Sequence, residues 1–240
     1  MLKELPLKTE ENIYISFDDK EKQRYQAEIL NARRKLEEDP NNRMSILANL
    51  TLLREVCVDS RLVYEDIQYI SSKTETLLDM ITNLIANNHK IIIFSQFVKY
   101  LNLLEDELKN AGYKYYIITG KTSAIDRQQM AEEFNQNPNV MVFLVSLKAG
   151  GVGLNLIGAD TVIHVDPWWN YAVEVQASDR AYRIGQKKPV TIYKLIMKDS
   201  VEERVIKMQE AKRLLSAEVI NENDEQMSKV SISDIKELLK

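Results

Sequence analysis

Between residues 72 and 198 the chain switches repeatedly between two hydrophobic rhythms. Short, nearly unbroken apolar runs (KIIIFSQ, YKYYIIT, VMVFLVS, DTVIHVD and VTIYKLIM) alternate with longer stretches: KTETLLDMITNLIA, KYLNLLEDELKNAG, DRQQMAEEFNQ and a segment from about Asn170. Apolar runs of about five to eight residues bounded by turns read as strands buried on both faces, and the intervening segments as helices. Strand–helix alternation predicts an α/β fold with a mostly parallel sheet covered by helices. In such sheets functional residues collect at the carboxyl ends of the strands. Here those ends are Ser95-Gln96, Thr119-Gly120-Lys121, Ser146 to Gly153 and Asp166 to Trp169.

The flanks follow another pattern. Residues 1 to 15 read as an extended lead-in ending in the alternating NIYISF. A polar helix is expected from about Asp19 to Glu38, stopped by the turn cluster Asp39-Pro40-Asn41-Asn42, and a more apolar one from about Met44 to Val58. Together they read as a helical appendage. Beyond Ser200, a plausible N-cap, VEERVIKMQEAKRLLSAEV is one amphipathic helix. The polar break NENDEQ separates it from SISDIKELLK, and both helices are expected to be struts packed on the domain.

Composition adds mainly exclusions. A chain of 240 residues, 45% hydrophobic and 28% charged, reads as a soluble globular protein. No run approaches the ~18 apolar residues of a membrane span, and MLKELPLKTEEN lacks a signal peptide's apolar core, so no membrane partner is expected. One cysteine, Cys57, excludes an internal disulfide and sits in a helical pattern as a small buried hydrophobe. With only His89 and His164, no zinc framework and no metal site is expected. Net charge is −4, yet residues 176–213 hold ten Lys or Arg against five Asp or Glu, a local +5. That segment is either a solvated helix face or a phosphate-facing surface.

Two stretches imitate nucleotide-binding loops. Gly120-Lys121-Thr122 follows an apolar run as a P-loop ending does, but the pattern needs a glycine five residues before Gly120, where Tyr115 stands. Gly150, Gly151 and Gly153 follow the strand VMVFLVS, but Leu156 occupies the third-glycine position of a dinucleotide fingerprint. The glycines still imply backbone conformations or close approaches that side chains would block.

The segment WWNYAVEVQASDRAYRIGQKKPV carries the densest chemistry. If Asn170 caps a helix running through it, Gln176, Arg180 and Arg183 fall at i, i+4 and i+7, on one face. One amide and two guanidiniums in a row suit bidentate phosphate recognition better than lysines would. The competing reading is a solvated charged stripe.

Taken in order, IIIFSQF, ITGKTSAIDRQQMAEEFN, SLKAGGVGLNLIGADTVIHVDPWWN and QASDRAYRIGQKKPVTIYKLI closely resemble the second RecA-like lobe of the Swi/Snf-type ATPases, DNA translocases of the superfamily-two helicase class. The resemblance is dense over residues 73 to 198 and looser at LPLKTE, the LLREVC helix and SVEERVIKMQEAKR. It implies a RecA-like three-layer sandwich over 73–198, an N-terminal lead-in and helical protrusion over 1–72, and bracing C-terminal helices over 199–240.

By that resemblance, Arg180 and Arg183 are arginine fingers, Gln176 lies near the γ-phosphate and attacking water, and Gly151 and Gly153 belong to the nucleotide side. Ser95, Gln96, Gly120, Lys121, Arg127, Ser146, Lys148 and Asn155 line the double-stranded DNA. The genuine P-loop and the acidic motif that bind ATP and Mg belong to a first RecA-like lobe, and neither motif occurs in this sequence. This chain is therefore expected to be half of a motor, inactive alone, whose partners are duplex DNA, that N-terminal lobe and a possible DNA-bound protein substrate. Its setting would be intracellular: cytoplasmic at the nucleoid in a bacterium, nuclear in a eukaryote. Trp168 and Trp169 either stack on bases or divide into a core residue and a lobe-coupling anchor; the family does not separate strands, which favours the second. His164 reads as a core histidine. Two alternatives stay open: a non-enzymatic DNA- or protein-binding module on the same fold, which the Gln176-Arg180-Arg183 face argues against, and an RNA helicase lobe, which the DPWWN and RIGQKKPV blocks argue against.

Overall fold

The structure is a computed structural model and describes residues 5–149, 153–218 and 232–239. The polar break NENDEQ lies outside them. Strands β1 (Lys8–Ile15), β2 (Ile91–Ser95), β3 (Tyr115–Ile118), β4 (Val142–Ser146), β5 (Thr161–His164) and β6 (Val190–Met197) form one sheet in the order β1-β6-β5-β2-β4-β3. The helices among the described residues are α1 (Asp19–Glu38), α2 (Arg43–Val58), α3 (Ser72–Ala86), α4 (Val98–Asn110), α5 (Ala124–Gln136), α6 (Tyr171–Ser178), α7 (Val201–Glu218) and α8 (Ile232–Leu239).

The sheet is parallel throughout. β2 pairs with β4 and β5, β3 with β4, and β5 with β6, all parallel. β1 follows β6 in the same direction: the Val190 N–H donates to Leu7 O at 2.9 Å and the Lys198 N–H to Ile15 O at 2.8 Å. This is the expected α/β architecture, with one addition. The lead-in expected to be extended is a full edge strand. Glu10, Glu11, Asn12 and Tyr14 are exposed, and the charges of Glu10 and Glu11 discourage further strand pairing at that edge.

The chain divides into two compact units, Met1–Ile13 with Thr74–Asp166 and Ala172–Leu195, and Tyr14–Lys73 with Pro167–Tyr171 and Ile196–Lys240. In the first, the central strands β2 and β4 are buried at every residue, which is why they read as unbroken apolar runs. Phe134 of α5 meets Phe143 of β4 edge-on at 5.0 Å, and Tyr100, Leu101, Leu104 and Leu108 give α4 its buried stripe.

In the second unit α1, α2, α7 and α8 pack together around Leu50, Leu53, Val56, Val205 and Leu239. A capping box starts α1: the Glu21 N–H donates to Asp18 Oδ1 at 2.7 Å and the Asp18 N–H to Glu21 Oε2 at 3.0 Å. Cys57 is buried in this core, and burial pushes its thiol pKa up, which keeps it an inert hydrophobe. Lys73 and Glu202 form an ion pair at 2.6 Å with both side chains wholly enclosed, and Glu202 also accepts the Met197 N–H at 2.9 Å.

Candidate functional site

Within the first unit, parallel pairing aligns the carboxyl ends of the central strands. Ser95 is opposite Ser146, Phe94 opposite His164, and Ile118 opposite Val145. The loops beyond these ends carry most of the expected site residues, but with unequal exposure.

Ser95 and Ser146, both expected to line the DNA, are only 1% and 2% exposed. The Ser95 hydroxyl donates to Asp166 Oδ1 at 2.6 Å and accepts from the Phe97 N–H at 3.1 Å, while the Gln96 N–H lies 3.3 Å from both Asp166 oxygens. A carboxylate thus ties the end of β2 to the residues just past β5. The Ser146 carbonyl accepts the Ala149 N–H at 2.9 Å, forming the turn that presents Lys148. Gly120, Lys121, Lys148, Gly153 and Asn155 are exposed, and Gln96 is half-buried. Gly151 lies outside the described residues.

The Gly-Lys-Thr segment is a closed turn. The Thr122 hydroxyl accepts the Thr119 N–H at 3.1 Å, the Thr119 hydroxyl accepts the Lys121 N–H at 3.3 Å, and the Thr122 N–H returns to Thr119 O at 3.2 Å. Those amides bond within the turn rather than forming a phosphate cradle. Ser123 then caps α5 by accepting the Asp126 N–H at 3.1 Å. Arg127 fastens this turn to its neighbour. Its guanidinium donates to the carbonyls of Thr122 at 2.9 Å, Thr119 at 3.1 Å, and Gly120 and Ala149 at 3.4 Å. Arg127 therefore holds the loop, whereas the Lys121 side chain is left in solvent.

The arginine segment departs most from the sequence reading. α6 ends at Ser178, so Gln176 is helical but Arg180 and Arg183 lie in the turns beyond, and the one-face argument does not apply to them. A continuing helix would offer the carbonyls of Arg180 and Ala181 to the next turn. Instead Arg180 O accepts the Leu156 N–H at 3.0 Å, and Ala181 O accepts the side-chain amide of Gln186 at 3.0 Å. Gln186, 8% exposed, also donates to Ala159 O at 2.7 Å and Ile157 O at 3.2 Å, and accepts the N–H groups of Lys187 and Lys188 at 2.8 and 2.9 Å. Gly185, at φ 107°, allows the chain to turn back before Gln186.

Below the turn, the Ser178 hydroxyl is hydrogen-bonded to His164 Nε2 at 2.8 Å. His164 is a core residue stacked on Phe94 at 5.4 Å, with its pKa lowered to about 4 by burial. Lys194 supports the same helix through Glu174 at 3.1 Å.

The result is a pair of guanidiniums on a braced turn. Arg183 is exposed and Arg180 half-buried, with Gln176 exposed on α6. The Arg180 Nε is buried and has no hydrogen-bond partner among the described residues. Burial, reinforced by the charge of Arg183 and opposed by Asp179, lowers the Arg180 pKa. Two guanidiniums on one turn, one exposed and one half-buried, form a cationic patch of the kind that receives an oxyanion.

Several contributors were not singled out by the sequence reading. Gln186 and Lys8 gave no pattern signal. Gly158 is required by packing, since a Cβ there would lie 2.8 Å from the Asn135 Cα, whereas a Cβ on Gly153 would meet nothing within 4 Å. In the second unit, Arg54 of the LLREVC helix is 2% exposed, with its guanidinium 5.6 Å from the Trp168 ring and 4.3 Å from the Trp169 ring. It donates to Pro167 O at 2.5 Å, and the Gln209 side-chain amide donates to Trp168 O. The adjacent tryptophans thus rest on one buried cation, a geometry stabilised by ring quadrupoles.

Residues 72–185 match the helicase conserved C-terminal domain. An uncharacterized ATP-dependent helicase of Mycoplasma pneumoniae is 39% identical over 227 residues, 93% of this chain and 22% of that protein. The chromatin-remodeling ATPase INO80 of Arabidopsis thaliana is 43% identical over 136 residues, 57% of this chain and 9% of that protein. The chain thus spans about a fifth or less of the length of these curated relatives. The Sulfolobus solfataricus SWI2/SNF2 ATPase core, solved in complex with dsDNA, superposes with a TM-score of 0.79 at 28% identity, over 99% of this chain and 51% of that one. The parallel RecA-like sheet, the matched helicase segment and these relatives make the chain similar, over nearly its whole length, to the C-terminal RecA-like lobe of the Swi/Snf-type superfamily-two ATPases.

Proposed function

We propose that this lobe supplies the cationic half of an ATP site and part of the duplex-DNA track of a Swi/Snf-type translocase, the other half being a first RecA-like lobe of the same full-length protein. The observation that carries this reading is the pair Arg180–Arg183 on a turn braced by the Leu156 N–H and the Gln186 side chain. Phosphoryl transfer develops charge on the transferred group's oxygens, and an arginine presented to them is worth about 10³–10⁵ in rate. Bound ATP with Mg would supply the reactive phosphoanhydride and its charge-neutralising metal. In this reading the metal falls to the other lobe.

On this chain Arg180 and Arg183 stabilise the developing charge, Gln176 positions the attacking water, and the Gln186 latch keeps the arginines from drifting. Gly153, whose backbone has open space around it, allows close approach of a phosphate. Lys121, Lys148, Asn155 and Gln96 face the DNA backbone, where such contacts fix position without reading sequence. Arg127, Ser95 and Ser146 hold the loops that present them, and the Trp168–Trp169 pair on Arg54 is a lobe-coupling element. Lobe boundaries near residues 73 and 198 fit this division of labour.

The test is phosphate release. The full-length protein should hydrolyse ATP with strong stimulation by duplex DNA, and this chain alone should release no phosphate with or without it. Robust turnover by the isolated chain would contradict the split site.

A further inference from the structure

The residue next to Arg180 is an acid. Asp179 is half exposed, its charge acts on Arg180, and a flexible guanidinium beside a carboxylate ordinarily closes onto it. Here Asp179 is taken by a different cation. Lys8, on the edge strand β1, places its Nζ 3.3 Å from Asp179 Oδ1 and 5.2 Å from the centre of the Tyr182 ring. One lysine therefore grips the residue before Arg180 and a residue just after it.

The Lys8 side chain is only 20% exposed. The anchors are rigid as well: β1 is fixed by the Val190 N–H to Leu7 O bond, and Asp179 by its own N–H to Val175 O at 2.9 Å.

We propose that Lys8 is a positioning residue that occupies Asp179 and so keeps the Arg180 guanidinium available to an incoming phosphate. The inference rests on the arginine reading above and adds a residue some 170 positions distant in sequence. Without the lysine, Asp179 and Arg180 pair with each other. Exposed pairs of this kind have association constants of about 2–5. With lysine and arginine competing for Asp179, about 0.6 of the arginine is free, and without the lysine about one third to one sixth, a drop of about two- to threefold. Substrate binding, governed mainly by other groups, changes little, so the deficit falls on kcat rather than on KM.

This geometry makes a rescue prediction. In the full-length protein, Lys8→Gln should lower kcat for DNA-stimulated ATP hydrolysis by about two- to threefold at nearly constant KM. Lys8→Arg should retain activity. Asp179→Asn alone should be close to parental, because no acid remains to capture Arg180. The double variant Lys8→Gln/Asp179→Asn should recover parental kcat. If instead Asp179→Asn is as impaired as Lys8→Gln and the double variant is no better, the salt bridge itself matters and the inference fails. Parental kcat in Lys8→Gln also overturns it. Arg180→Ala in the same assay separates the levels: if it abolishes turnover while Lys8→Gln is silent, only the role of Lys8 is wrong. If Arg180→Ala is itself parental, the arginine reading falls and takes this inference with it.

Discussion

Replacing Gln186 by alanine removes five hydrogen bonds at once, and the structure says which of them count. The N–H groups of Lys187 and Lys188 are at exposed positions and can exchange the lost Oε1 for water. The carbonyls of Ala159 and Ala181 belong to residues with no exposed surface. Leaving a buried polar group unsatisfied costs about 1–3 kcal/mol. Two such groups, partly relieved by water entering the space the side chain vacates, give about 3 kcal/mol. At about 2–4 °C per kcal/mol for a chain of this size, Tm should fall by about 6–12 °C. The loss should be felt first in the arginine turn, because Gln186 joins residues 157–159 to residue 181. Thermal unfolding by circular dichroism gives the first number. Hydrogen exchange at the Leu156 N–H, which bonds to Arg180 O, reports the turn itself. Gln186→Glu keeps an acceptor for Lys187 and Lys188 but faces the carbonyls with a carboxylate, so it should be at least as unstable as the alanine variant. A Gln186→Ala protein melting within 2 °C of the parent (about 1 kcal/mol or less), with unchanged protection at Leu156, would refute the latch.

Two further outcomes are expected. His164 is held neutral by burial, with its pKa near 4 against an ordinary 6.5, so between those values the unfolded chain binds more protons than the folded one. Its contribution to stability is complete above pH 6.5 and is lost as pH falls toward 4, with a slope approaching 1.4 kcal/mol per pH unit. Denaturant titrations across this window should show a shallower acid loss for His164→Gln than for the parent, and equal slopes would contradict the assignment. Lys121 projects from a turn whose amides are already bonded, so in the full-length protein Lys121→Ala should weaken duplex affinity similarly across sequences and reduce the log–log salt slope by about one. Weakened nucleotide binding with an unchanged salt slope would instead mark it as a phosphate-loop lysine.

The sheet was legible because burial on both faces writes an unmistakable pattern: IIIFS and VFLVS are buried at every residue, and both became central strands. NIYISF was legible as extended but not as paired, since alternation alone does not say which neighbour an edge strand has. The helix through Arg183 was the instructive error. Its residues have ordinary helical character, but the carbonyls that would continue α6 are taken by the Leu156 N–H and the Gln186 side chain. Long-range competitors of this kind leave no local trace. The same holds for Lys8, Arg54 and Asp166, whose partners lie far away in the chain. Ser95 and Ser146 are the last residues of β2 and β4, and Arg127 lies near the start of α5, yet position does not reveal whether a polar side chain turns outward or ties a loop together.

The central claim is that Arg180 and Arg183 act on phosphate charge developed in the reaction rather than on the folded chain or on DNA. It is tested most directly by measuring kcat for DNA-stimulated ATP hydrolysis, together with the Kd for ATP, in full-length Arg180→Ala and Arg183→Ala variants. The account predicts a loss in kcat on the order of 10³-fold or more with ATP affinity largely kept, because contacts made in the transition state weigh on turnover and little on ground-state binding. Near-parental kcat in either variant would contradict the claim for that arginine and return it to a structural or DNA-facing role.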